Sequence, residues 1–147
     1  MDRVGLQETM NMVQIDATYD GDLRCKATHA ESGTTLLTDA PKDNHGKGES
    51  FSPTDLVATA VGTCMLTTMA IAAKHHNIDF THASVRVRKE MTSSPPRRIA
   101  KLTIEITGPS SVPESQRLTL ERSAIQCPVS QSLHPQVQTG IVFQWTA

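Results

Sequence analysis

Among the side chains able to act as nucleophiles, the cysteines Cys25, Cys64 and Cys127 stand in three different settings. Cys127 directly precedes Pro128. If Pro128 is the first residue of a helix, Cys127 is its N-cap, facing unpaired backbone amides and the positive dipole end, where a thiolate is stabilised. The other reading of a lone Cys-Pro pair is a small apolar plug at a helix junction. Cys64 sits midway along an apolar stretch, and taken alone it reads as core, since free cysteine is among the most buried residue types. Cys25, between Arg24 and Lys26, reads as structural or incidental. The histidines carry less. His75 and His76, with His82, invite a metal reading, but adjacent histidines point to different sides of a helix and no i, i+4 ligand pair exists. They read as a surface helix end. His134 beside Pro135 reads as a loop residue, and His29 and His45 lack partners. No phosphate-cradling glycine loop and no Gly-x-Ser-x-Gly elbow occurs.

The elements that must position these residues follow from periodicity. Met12 to Tyr19 alternates as a half-buried strand, and Asp20-Gly21 signals a hairpin. Leu23 to Ala30 returns, and Thr34 to Thr38 follows as a third strand, so the chain opens as a β-meander. Ala40 to Ser52 has no periodicity and reads as a loop. A helix then starts at Ser52-Pro53-Thr54-Asp55, with Ser52 as N-cap, Pro53 at the first position and Asp55 in the positive first turn. Its stop signal is His76-Asn77. Leu56, Ala60, Cys64, Thr67 and Ile71 share one face, and Val57, Val61, Met65 and Met69 a neighbouring one. A helix apolar on so many sides needs more cover than one small sheet gives, and a partner subunit is the natural source. Met65 and Met69 either line an apolar pocket or are core.

Beyond Ile78-Asp79, the residues Ala83, Val85 and Val87 alternate with Ser84, Arg86, Arg88 and Glu90, the pattern of a strand with a wet face. A turn at Ser93-Ser94-Pro95-Pro96 leads to a pairing strand from Ile99 to Thr107. Ser111-Val112-Pro113-Glu114 opens a helix running to Cys127, Pro128 to Leu133 forms a short further helix, and Gly140 to Trp145 closes as a strand. The order βββ-α-ββ-αα-β describes an α+β domain spanning residues 1–147 without internal repeats.

Composition narrows the function classes. The 147 residues carry 14 Lys+Arg against 15 Asp+Glu, so no basic field attracts nucleic acid or an anionic membrane. Aromatic residues make up only 3%, too few for a base-stacking platform. Three cysteines do not form a secreted disulfide framework, and reduced thiols in cytoplasm are the expectation. Met1 to Met12 lacks the apolar run of a signal peptide. Leu56 to Ala73, broken by Thr59, Thr63, Thr67 and Thr68, reads as a buried helix and not a membrane span.

Two motifs then carry a resemblance. The stretch Phe51-Ser52-Pro53-Thr54-Asp55-Leu56-Val57-Ala58-Thr59-Ala60-Val61-Gly62-Thr63-Cys64, followed by Lys74, His75 and Asn77, resembles the first cysteine helix of the OsmC/Ohr family of thiol peroxidases. Ala124-Ile125-Gln126-Cys127-Pro128-Val129-Ser130-Gln131-Ser132-Leu133 resembles that family's second cysteine motif. The resemblance extends from Tyr19 to Trp145. It implies an OsmC-like α+β fold in which an antiparallel sheet wraps around long central helices within an intertwined homodimer.

The resemblance also implies roles. Cys64 is expected to attack an organic hydroperoxide and become a sulfenic acid, and Cys127 to resolve it as a disulfide that a lipoyl- or thioredoxin-like dithiol reductant reopens. No cofactor is implied. Peroxidase members add an arginine from the N-terminal strands and a glutamate that orients it; Arg24 is the candidate here, against an ordinary exposed strand arginine. Arg86 and Arg88 read as the wet face of their strand. The glutamate departs from the pattern: those members open the helix with Pro-Glu, whereas Thr54 follows Pro53 here and the acid comes at Asp55. That shift rotates the carboxylate by about 100°, which leaves Asp55 as a first-turn dipole partner or a displaced orienting acid, and Glu49 as a substitute. An acid at this later position resembles the OsmC-like branch. Two rival readings keep the fold: a non-catalytic protein holding a small hydrophobic ligand at the dimer interface, and a thiol redox sensor.

Overall fold

The computed structural model describes residues 12–147, so the N-terminal reading of Met1 to Met12 falls, apart from Met12, outside the described residues. The chain divides into two compact units, one ending at Pro53 and the other formed by Thr54–Ala147.

The first unit is an antiparallel meander of β1 (Ile15–Gly21), β2 (Arg24–His29) and β3 (Thr35–Asp39), in the order β1-β2-β3. The hairpin forms, but not on Asp20-Gly21. Its two central residues are Asp22 and Leu23, with φ of 54° and 61°, both in the left-handed region. Gly21, at φ 87°, occupies a bulge opposite Arg24, the place where absence of a Cβ matters. A left-handed leucine is strained. It is held at both ends: its N–H donates to the Tyr19 hydroxyl at 3.3 Å, and its carbonyl accepts the Ala40 N–H at 3.1 Å. The alternation of β1 does not bury a face within this chain, because Ile15 and Tyr19 are both exposed. After β3, the loop holds one short 3-10 turn, Lys42–Asn44.

The second unit contains the core. Helix α1 (Pro53–His75) buries Ala58, Val61, Gly62, Met65, Met69 and Ala73, a single stripe at steps of three and four. This stripe is the Val61/Met65/Met69 face. The Leu56/Cys64/Ile71 face stays partly open, with Ile71 exposed. Met65 and Met69 are wholly buried, so of their two readings the core one applies. α1 is long and apolar enough to cross a membrane by length and composition alone, yet its buried stripe belongs to the same core cluster as Leu102, Ile104 and Ile106. Its approach to the sheet is close at Gly62, where an added Cβ would stand 2.8 Å from Val87 Cγ2.

That sheet has the order β4-β5-β6, from β4 (Ser84–Met91), β5 (Ile99–Gly108) and β6 (Gln138–Trp145). β4 and β5 pair antiparallel, with Val85, Val87 and Met91 inward and Arg86 and Arg88 outward near Glu105 at 3.9 and 2.8 Å. The closing strand departs from an all-antiparallel expectation: β6 runs parallel to β5, from Lys101 opposite Gln138 to Gly108 opposite Trp145. The intervening segment, with α2 (Glu114–Ile125) and α3 (Pro128–Gln131), carries the chain back across the sheet, as a parallel pair requires. The observed order is thus βββ-α-ββ-αα-β, an α+β fold.

Candidate active site

Three groups collect the candidate residues, two in the second unit and one in the first. In the second unit, the chain leaves α2 through Gln126 and turns extended at Cys127, with φ −60° and ψ 139°, before Pro128 opens α3. Cys127 is the N-cap, and its Sγ accepts the Ser130 N–H at 3.3 Å. The thiol is fully buried, at 0% exposure. Cys64, half-buried on α1, packs against the core cluster that contains Cys127, close enough to bear on its thiol, and both cysteines are free.

The cap does not make Cys127 acidic. Burial pushes its thiol above the ordinary 9.0, and the hydrogen bond and charge of Cys64 push the same way, outweighing the lowering by the Ser130 N–H. The expectation of a stabilised thiolate at Cys127 is corrected: removal from water outweighs two amides at the mouth of a one-turn helix. A thiol kept protonated beside Cys64 is suited to be a hydrogen-bond donor and a second partner, not the first attacker.

At the start of α1, Lys89 of β4 closes on the helix opening. Its Nζ lies 2.7 Å from Asp55 Oδ1 and donates to Thr54 Oγ1 at 2.7 Å, with only 13% of the lysine side chain exposed. Asp55 is therefore engaged by a lysine that the sequence pattern did not single out. A lysine at an otherwise apolar, inward position of a strand was the available signal.

In the first unit, Arg24 begins β2 immediately after the strained turn, and its guanidinium reaches Glu49 of the loop at 2.5 Å. A second acid completes the cluster. Asp39, the last residue of β3, pairs with Arg24 in the strand register; its Oδ2 stands 3.6 Å from Arg24 Nη2 and accepts the Glu49 N–H at 3.0 Å. The Glu49 hydrogen bond, followed by the Asp39 charge, raises the arginine's affinity for its proton against some loss from burial. Asp39 was not singled out from the sequence. An acid ending a short strand of Thr and Leu carries no local mark of burial, yet its side chain is 1% exposed.

The structure thus brings Cys64 to Cys127 and Arg24 to Glu49, and gives Asp55 to Lys89. Cys25 is half-buried in β2, opposite Tyr19 and Thr38. Among the described residues, no group of three His, Cys, Asp or Glu could hold a metal ion.

Comparison with known proteins places this arrangement. Residues 46–142 match the family model described as OsmC-like protein. An inferred osmotic stress induced and detoxification response protein from Psychrobacter arcticus 273-4 shares 39% identity over 91% of this chain and 97% of its own, with a TM-score of 0.85. An OsmC-like protein from Mycoplasma pneumoniae shares the fold at 15% identity and a TM-score of 0.77, over 93% of this chain and 99% of its own. The organic hydroperoxide resistance protein OhrB of Bacillus subtilis does so at 15% and 0.68, over 92% and 99%. No curated protein matches. With well over half its length matched by the family model and both cysteine motifs in that fold, the chain belongs to the OsmC/Ohr family.

Proposed function

We propose that this protein is a cysteine-based peroxidase that reduces organic hydroperoxides in oxidative-stress defence. The packing of Cys64 beside the buried Cys127 thiol, with both cysteines free, is the observation that supports this most. In the proposed cycle the Cys64 thiolate attacks a peroxide oxygen and the O–O bond breaks. The alkoxide leaves, takes up a proton and departs as an alcohol, while Cys64 becomes a sulfenic acid. Cys127 then attacks that sulfur, the S–O bond breaks, water leaves, and a disulfide remains. A lipoyl- or thioredoxin-like dithiol returns both thiols by two exchange steps and is itself oxidised. Arg24, held by Glu49, is the cation proposed to favour the attacking thiolate. Asp55, engaged by Lys89, is assigned to organising the helix opening.

The working form is proposed to be a cytoplasmic homodimer, the chain acting as one OsmC-like domain. The apolar side chains that β1 leaves exposed, Ile15 and Tyr19, and the open Leu56/Cys64/Ile71 face of α1 favour a second copy as their cover. Nucleic acid and membrane are not among the proposed partners, and no cofactor enters the cycle.

One observation favours a second reading. Where peroxidase members are expected to carry Glu, Thr54 is bonded to Lys89, so a non-catalytic binder of a small hydrophobic ligand, or a redox sensor, would use the same fold. The test is to follow loss of cumene or tert-butyl hydroperoxide by reduced protein supplied with a dithiol, beside Cys64→Ser. Peroxidase activity gives turnover abolished by the substitution. A sensor loses its thiols once without turnover, a ligand binder loses none, and equal activity in Cys64→Ser sinks the peroxidase reading.

A further inference from the structure

The cluster around Arg24 contains one acid that the proposed cycle leaves without a task. Asp39 is 1% exposed, and its two carboxylate oxygens differ. Oδ2 faces both sides of the cluster, accepting the Glu49 N–H at 3.0 Å and standing 3.6 Å from Arg24 Nη2. Oδ1 is buried with no hydrogen-bond partner, and so is Arg24 Nε. A buried carboxylate oxygen and a buried guanidinium N–H, both unsatisfied and on residues already paired across β2 and β3, are costly apart. They are complementary, because arginine presents Nε–H and Nη–H as a fork that matches the two oxygens of a carboxylate.

Glu49 makes the opposite kind of contact. It takes the shorter bond to Arg24, but its side chain is 61% exposed and stands on a loop. Its backbone is fixed through Asp39 Oδ2.

We propose that Asp39 is the positioning residue for Arg24: a buried anionic post that fixes the guanidinium from below, and onto which Arg24 closes as a two-bond fork when Glu49 releases it. For Nη2 the closure needs a shift of less than about 1 Å, the difference between its observed separation from Oδ2 and an ordinary charged hydrogen bond. It satisfies Arg24 Nε and Asp39 Oδ1 together. The charge of Arg24 is thereby kept at the end of the strained Asp22-Leu23 turn whether or not Glu49 holds it. The link from this post to chemistry at Cys64 rests on the peroxidase reading; the link from Asp39 to Arg24 does not.

The experiment uses the full chain with Asp39→Asn, Glu49→Gln and, to assign the signal, Arg24→Lys. The Arg24 Nε–H resonance is followed by ¹⁵N NMR, and the pH profile of Cys64 alkylation by iodoacetamide is measured beside peroxide kinetics. Expected in Asp39→Asn are a shifted and faster-exchanging Nε–H, an alkylation midpoint raised by about one pH unit, and kcat/KM for cumene hydroperoxide down about tenfold. Glu49→Gln is expected to leave the Nε–H protected, or more so. An Nε–H signal that is unchanged in Asp39→Asn but lost in Glu49→Gln overturns the proposal. So does a shifted signal with an unchanged alkylation profile, because Asp39 would then be merely structural. If wild type consumes no hydroperoxide, the peroxidase reading fails, while the Nε–H resonance still decides whether Asp39 positions Arg24. A variant Asp39→Asn that does not fold is replaced by Asp39→Glu, whose carboxylate should restore the wild-type alkylation midpoint; failure to restore it counts against the proposal.

Discussion

Replacing Cys127 by alanine and by serine separates what its sulfur does for the fold from what it does for the chemistry. Cys127 is fully buried, and its Sγ is the side-chain acceptor that caps α3 through the Ser130 N–H at 3.3 Å. Cys127→Ala removes the cap, which costs about 1 kcal/mol, and leaves a void of one heavy atom, for about another 1 kcal/mol. The sum of about 2 kcal/mol corresponds to a melting temperature lower by roughly 6 °C in a chain of this length. Cys127→Ser keeps an oxygen cap in the same place and is expected to lose about half as much. In the chemistry the two variants should be alike: without a resolving thiol, hydroperoxide drives Cys64 past sulfenic to sulfinic acid. Thermal unfolding of the reduced proteins measures the first effect, and mass spectrometry of the Cys64 peptide after peroxide treatment the second. Equal melting temperatures for the alanine and serine variants would refute the capping argument, and reversible cycling of Cys64 in either would refute the resolving role.

Other expectations can be checked on the same protein. Gly62→Ala places a Cβ 2.8 Å from Val87 Cγ2 and is expected to cost about 1–3 kcal/mol by pushing α1 off the sheet, read by denaturant midpoint at unchanged m-value. Gly108→Ala drives a Cβ into the Trp145 ring, which Glu121 and Arg117 hold by a 2.9 Å hydrogen bond and a 5.4 Å cation–π contact; the chain's one tryptophan should change its fluorescence along with stability. Burial raises the Cys127 thiol above its ordinary 9.0, so folding is favoured by the bound proton. That contribution is full below about pH 9 and is lost as pH rises from there through the raised folded value, a decline that Cys127→Ser should abolish in pH-dependent unfolding.

What the residue pattern revealed, and what it did not, follows from the range of the interactions involved. Helix starts are local, and Pro53 and Pro128 open α1 and α3 as their types require. The wet face of Arg86 and Arg88 is likewise local alternation. The residue pattern places the hairpin two residues early because Asp20-Gly21 fits a turn by type, whereas the loop anchors a left-handed Leu23 through the Tyr19 hydroxyl and the more remote Ala40. Which face of α1 is buried was equally out of reach, since both faces are apolar and only the sheet selects the one with Val61, Met65 and Met69. Around the sites the same division holds. Cys127 as N-cap is a matter of one neighbouring proline, but the direction of its acidity depends on burial, which local sequence does not carry. Glu49 is legible only as a substitute acid and Lys89 only as a charge on an otherwise apolar strand face, while Asp39 carries no local sign, because these roles arise from strand pairing and helix docking.

The central claim is that Cys64 and Cys127 act as one redox pair. Reduced protein treated with one equivalent of cumene hydroperoxide should lose two thiols and two hydrogens by intact mass, and tryptic mapping should join the peptides carrying Cys64 and Cys127 while leaving Cys25 free. Survival of all three thiols, or a disulfide that includes Cys25 in place of either partner, would contradict it.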